Sequence, residues 1–195
     1  MRIREVVLPA VDPEALAAFH GPGYGATRLR FEPGPGVCSH VAVNVPPERF
    51  EEAVEWARER APLIQDDVPF PDWRARAAYF FDPAGNLVEL IARERAPGEE
   101  LFLEVSEVGL PVEDVGAAVD WLETELGLRH FSGDRRNFSA VGDDRGLFVV
   151  VPVGRHWLFT EEPAPDAPLR VTIDSQRGGE LVVPGSGHVV KLGSG

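Results

Sequence analysis

A single cysteine, Cys38, stands in 195 residues. A lone thiol forms no internal disulfide, and without a second cysteine a thiolate zinc site is not expected; Cys38 is read as a structural or incidental residue. Long apolar runs are missing as well. None approaches the roughly 18 residues of a membrane span, and the opening "MRIREVVLPAVD" alternates charged and apolar residues where a secretory leader carries a hydrophobic block. The expectation is a cytoplasmic protein with no membrane partner. Basic residues are in short supply, 19 Lys and Arg against 32 Asp and Glu, for a formal net charge of −13. That field repels phosphate backbones and anionic lipid, so nucleic acid is not an expected partner. Phosphate-binding signatures are absent too: "GPGYG" has neither the Lys-Ser/Thr of a P-loop nor the preceding strand of a dinucleotide fingerprint.

What the chain does have is a respectable supply of core residues, 44% hydrophobic, and 18 Pro and 20 Gly spread along its length. Spread in that way they mark firm turns between short elements. An internal repeat organises them. "EVVLPAVD" at 5 to 12 returns as "EVGLPVED" at 107 to 114, and each copy leads into a helix signal, Asp12 before Pro13 and Asp114 before "VGAAVDWLETELGL". In the second helix Val115, Ala118, Val119, Leu122 and Leu126 share one face, and Gly127 stops it. A third unit begins at "SHVAVNVPPERFEEAVEWARERAP". Its strand puts Val41, Val43 and Val45 on one face and His40, Ala42 and Asn44 on the other, and its helix carries the stripe Phe50, Ala53, Val54 and Ala57. A loop containing Trp73, the strand "AAYFF", the turn "DPAGN" and the strand "NLVELIA" follow. Strands "TRLRF", "NFSAVGD" and "GLFVVVPVG", and a helix-free tail of "LRVTIDS", "GELVVP" and "GHVVKL", complete the chain.

The pattern predicts an α+β protein of four βα-type modules, the first and last abbreviated. Residues 93 to 100, "RERAPGEE", are the expected linker between a unit at 1–95 and a unit at 101–195. One residue asks for an explanation. Period-two alternation puts Glu89 on the same face as Leu87 and Ile91, and an ionised carboxylate in that company is costly unless a cation, a donor or water attends it.

The strand-opening His of "HVAVNVP", the "FFDPAGNLVELIAR" hairpin some forty residues later and the paired repeats together resemble the vicinal oxygen chelate (VOC) superfamily. That group includes glyoxalase I, extradiol dioxygenases and bleomycin-resistance proteins. The likeness is strongest over residues 38 to 95, and the Asp-Pro-x-Gly-Asn-x-x-Glu pattern at 82 to 89 is its most specific part. The resemblance implies repeated βαβββ modules forming curved mixed sheets, helices outside, around a cup that holds one divalent metal ion. Carried over by position, the metal ligands fall on Glu5, His40 and Glu89, with Glu5 and Glu89 as candidate catalytic carboxylates. The substrate pocket falls on Asn44, Trp73, Tyr79 and Phe81. A set rich in carboxylate suits Mn²⁺, Ni²⁺, Zn²⁺ or Fe²⁺ as a Lewis acid. The implied activity is that of a lyase or isomerase ahead of a dioxygenase, on a small substrate chelated through neighbouring oxygens. The alternative is a metal-free small-molecule-binding protein of bleomycin-resistance type.

Glu107, the repeat of Glu5, is read as structural or as a polar wall residue, because module four offers no partner ligands for it. Packing roles are also expected for His20 and for the "GRHWLFTEE" segment, with a pocket wall or an interface as the alternative for the segment. Uncovered sheet edges at both ends suggest a homodimer.

Overall fold

The computed structural model describes residues 1–94, 96 and 98–193, so positions 95 and 97 of the expected linker lie outside the described residues. Module one comprises β1 (Ile3–Ala10), α1 (Pro13–His20), β2 (Gly23–Tyr24) and β3 (Thr27–Pro33). Module two is β4 (His40–Val45), α2 (Phe50–Arg58), β5 (Leu63–Phe70), β6 (Ala75–Phe81) and β7 (Leu87–Arg93). Module three repeats that order as β8 (Glu104–Val112), α3 (Val115–Leu126), β9 (His130–Gly133), β10 (Ser139–Asp143) and β11 (Gly146–Pro152). Module four keeps only β12 (Arg170–Asp174), β13 (Gly179–Val182) and β14 (Val189–Gly193). The α+β class and the abbreviated outer modules agree with the sequence. Three strands escape it. β2 and β9 are short, and the irregular edge strand β5 runs through what reads as a loop.

The helices form for local reasons. Asp12 and Asp114 accept from the backbone N–H of Ala15 and Ala117, both at 3.0 Å, and Gly127 closes α3 in the left-handed conformation. Val41, Val43 and Val45 join Val88, Leu90, Val108 and Leu110 in the main core, which also takes in the inward faces of the other sheet. The opposite face of β4 and β7 gives a second, smaller apolar cluster around Tyr79, Leu87, Ile91, Val149 and Trp157.

The sheets do not divide the chain at its middle. One is eight-stranded, ordered β5-β6-β7-β4-β8-β11-β10-β9, and unites modules two and three; the six-stranded other, β13-β14-β12-β1-β3-β2, unites modules one and four. The split at 1–95 and 101–195 therefore does not describe the sheets. The physical cause is the seam. β4 pairs antiparallel with β8, Ala42 opposite Glu107 and Val41 opposite Val108, while β1 pairs antiparallel with β12. Each seam is flanked by matching parallel pairs, β4 with β7 and β8 with β11 in the larger sheet, so each sheet has a pseudo-twofold axis between its central strands.

Buried polar side chains tie the two sheets together. His188, at the start of β14, accepts from Leu169 N–H at Nδ1 (3.1 Å) and donates from Nε2 to the Pro111 carbonyl (2.7 Å) on β8. That bonding fixes a neutral ring, and burial holds its pKa below the usual histidine value, with Asp166 pulling the other way. In the unfolded chain the ring takes up a proton near pH 6.5. Stability is therefore complete above that pH and is lost as pH falls towards the depressed folded value. The wild-type melting temperature, followed between pH 7.5 and 5.5, should fall by about 2–4 °C for each kcal/mol lost. His188→Gln should remove that part of the slope, which a pH series of thermal melts reads directly.

Candidate functional site

The site lies on the second apolar face of the eight-stranded sheet, and its geometry follows from the seam. Ala42 has Glu89 as its neighbour on β7 and Glu107 as its neighbour on β8. With strands about 4.8 Å apart, the two acidic residues flank the Ala42 methyl on the same face of the sheet. His40, two residues earlier on β4, points to that face as well, and Nε2 of its ring lies 3.2 Å from Glu89 Oε2. His40, Glu89 and Glu107 are 5%, 5% and 3% exposed and line one pocket. Its walls are apolar, chiefly Phe70, Trp73, Tyr79, Ile91, Phe138 and Trp157.

Glu5, by contrast, lies in the other sheet, opposite Thr172 on β12 and Arg28 on β3. Its partly exposed carboxylate faces Arg28 and Arg30 at 3.6 and 3.9 Å. The Glu5–His40–Glu89 grouping is therefore not formed. The strand across the seam from His40 belongs to module three, which puts Glu107 in the pocket in place of Glu5. The pseudo-twofold axis relates His40, opposite Leu87, to Glu107, opposite Leu147; it likewise relates Glu89 to Val149, since their neighbours are Ala42 and Gly109. Three of the four equivalent positions carry donor side chains and the fourth is apolar.

The remaining expected pocket residues divide. Tyr79 and Trp73 line the pocket. Tyr79 is the cross-strand neighbour of Glu89; burial first, and then the Glu89 charge, hold the Tyr79 pKa well above its ordinary value. Phe81 packs behind the wall without lining the pocket. Asn44 is fully buried beneath it and donates from Nδ2 to Glu104 (3.3 Å) and to the Asp144 carbonyl (3.0 Å).

Asn44 also accepts from Arg93, the cation that shapes this floor. Arg93 follows Leu87, Glu89 and Ile91 on the inner face of β7 and is 2% exposed. It ion-pairs with Glu107, and its Nη1 donates to Asn44 Oδ1 and to Ser106 Oγ, the latter at 3.0 Å. The register steps from Ala42–Glu107 to Val43–Val105, so Ser106 is the bulged residue, free to turn its hydroxyl towards Arg93. Burial first, and then the neighbouring Glu89 charge, push the Glu107 pKa up to about 7, although Arg93 opposes them.

The segment after β11 covers the site. Trp157 lies against the His40 ring, centroids 5.3 Å apart, and its Nε1 donates to the Cys38 carbonyl at 2.8 Å. It fits because position 109 has no side chain: a Cβ there would fall 2.6 Å from Trp157 and 3.2 Å from the His40 Cβ. The turn that follows holds Phe159 at a φ of 63°, strained for an aromatic residue, against Tyr79. The packing role expected of this segment is thus a pocket wall. His20, expected to pack locally, reaches from α1 to the "DPAGN" turn: Nε2 is 3.0 Å from Asp82 and Nδ1 2.8 Å from the Tyr24 hydroxyl. Asp82 caps that turn, Gly85 takes its left-handed position, and Asn86 Oδ1 accepts from Ser39 N–H, which fixes the strand end carrying His40.

An imidazole and two carboxylates suit a divalent first-row ion in kind. They also suit it in charge. With His40 neutral, the floor holds two carboxylates against the one Arg93 cation, a deficit that a proton or a metal ion makes good. Yet Glu107 leans on Arg93, and among the described residues no group of three His, Cys, Asp or Glu is gathered to hold an ion as it stands.

No family model matches the sequence, and no curated protein matches it. Solved structures do. A Bacillus subtilis protein described as a "putative dioxygenase" superposes with a TM-score of 0.63 at 15% identity, over 98% of this chain and 84% of the other. Glyoxalase I from Zea mays superposes with a TM-score of 0.62 at 13% identity, over 98% and 91%. Paired βαβββ modules closing a curved sheet around a polar floor define the class of fold. This chain shares that fold with the two solved structures, and it is the fold that the resemblance to the vicinal oxygen chelate superfamily implies.

Removing one member of the buried pair leaves the other charge uncompensated. Arg93→Met should cost about 3–5 kcal/mol in denaturant unfolding, and Arg93→Met with Glu107→Met should recover most of it. At the covering segment, Gly109→Ala should displace the Trp157 indole and change the tryptophan fluorescence without abolishing folding.

Proposed function

We propose that this pocket is the active site of a metal-dependent enzyme acting on a small substrate through two neighbouring oxygens, with lyase or isomerase chemistry ahead of oxygen insertion. His40, Glu89 and Glu107 are the side chains assigned to the ion, Glu107 in the role expected of Glu5. The observation that carries this reading is the placement of the Glu89 and Glu107 carboxylates on either side of Ala42, buried beside His40, with Arg93 the one cation paired to them. When bound, a divalent ion supplies Lewis acidity to the substrate oxygens.

The chain's own part is positional. Tyr79 stands beside the Glu89 carboxylate as its cross-strand neighbour, Trp157 lies against the His40 ring, and the aromatic walls keep bulk water from the floor. Glu89 Oε2, already facing His40 Nε2, is the atom we assign to take up a proton leaving the substrate. Two carboxylates make the donor set hard and poorly matched to oxygen activation, which favours proton transfer.

The contact of Arg93 with Glu107 favours a second reading. A guanidinium already answers one of the two carboxylates, so a metal-free binding protein could balance the floor with a single proton. Metal analysis separates the two. Protein purified without chelator should hold close to one ion per chain; His40→Ala and Glu107→Gln should lose it, and Glu5→Gln should keep it. A wild-type protein that stays metal-free after dialysis against Mn²⁺, Ni²⁺, Zn²⁺ and Fe²⁺ in turn would leave the binding protein standing.

A further inference from the structure

The floor of the pocket is acidic, and its mouth is not. Arg155 is the only basic side chain of the described residues that lines the pocket besides the His40 ring. It sits on the covering segment two residues before Trp157, half-buried, with its guanidinium carbon 6.0 Å from the centre of the Phe138 ring. Its one side-chain hydrogen bond is local, from Nη1 to the His156 carbonyl at 3.2 Å. No described carboxylate forms an ion pair with it, although the same segment carries Glu161 and Glu162 and Glu161 lies 3.6 Å from His156. In a chain of net charge −13, where most arginines around the sheets lean on an acid, this one lines the pocket with no acidic partner among the described residues.

We infer that Arg155 determines specificity by binding an anionic group of the ligand, a carboxylate or its equivalent, at the mouth of the pocket. The inference rests on the pocket being the ligand site, as proposed above, and does not require a metal. The charge pattern also fixes the direction of binding. Without a bound ion, Glu89 and Glu107 disfavour an anion at the floor; Arg155 attracts it to the rim, and the aromatic walls between them take a flat apolar body. The ligand class is therefore a small arylalkyl acid lying with its charged end outward and its neutral, oxygen-bearing end inward. A guanidinium suits that role because it presents several donors in one plane and gives up its hydration readily.

Phenylacetate, 3-phenylpropanoate and 4-phenylbutanoate serve as probes, each compared with its own primary amide, which keeps the shape and removes the charge. The chain-length series allows for the reach from the walls to the guanidinium. Binding is followed by calorimetric titration of the full chain, both as purified and after chelator treatment. At least one acid should bind about tenfold or more tightly than its amide, the equivalent of one charge-assisted hydrogen bond. Arg155→Met should erase that preference and Arg155→Lys should keep part of it, with the amide affinity and the metal content unchanged in both. The preference should persist after chelation, so failure of the metal reading and failure of this one are distinguishable. Amides that bind as well as acids, a preference that survives Arg155→Met, or no binding of any acid at millimolar concentration would each overturn the inference.

Discussion

The antiparallel pairing of β4 with β8 decides what this molecule can do. It sets Ala42 between Glu89 and Glu107, brings His40 over them, and leaves Gly109 as the gap that Trp157 fills. A different pairing of the modules, with β4 beside β1, would have set Glu5 against His40 and given a different floor. Register matters as much as pairing. A one-residue slip at the seam would turn Glu107 to the main core and bring Val108, now part of that core, into the pocket.

The seam also creates a problem of charge, and the surrounding residues answer part of it. Burial, and then the neighbouring Glu89 charge, make Glu107 resist ionisation, and its pKa is raised. Arg93 answers Glu107 from below, held by Asn44 and the bulged Ser106, while Tyr79 and His40 attend Glu89. A buried network of this kind is a poor source of net stability and a good source of position. It keeps the reactive groups on rigid strands, where packing and hydrogen bonds settle their rotamers.

Much of this was legible in the sequence, and the failures share a cause. Period-two alternation put Glu89 on the inner face with Leu87 and Ile91, and the Val stripe of β4 identified the buried side, leaving His40, Ala42 and Asn44 on the other. The "EVVLPAVD" repeat and the Asp caps located the modules. What local pattern does not carry is which module pairs with which, since that depends on tertiary packing across some sixty residues. Taking consecutive modules as partners puts Glu5 in the site and leaves Glu107 as a structural or polar wall residue. A signal was nevertheless present. Glu107 stands at the same place in its strand-helix unit as Glu5, so whichever copy shares His40's sheet supplies the carboxylate. Arg155 and Trp157 were visible in "GRHWLFTEE", but nothing in that string tells a pocket wall from ordinary packing. Strand β5 was missed because acidic residues and register shifts at a sheet edge hide its alternation.

The most direct test of this site is crystallographic. Crystals grown with Mn²⁺ and measured for anomalous scattering should show one strong peak on the inner face of the eight-stranded sheet, within coordinating distance of His40 Nε2 and the carboxylates of Glu89 and Glu107. A peak beside Glu5 in the six-stranded sheet, or none in the pocket, would contradict the assignment of Glu107 and the metal-dependent chemistry built on it.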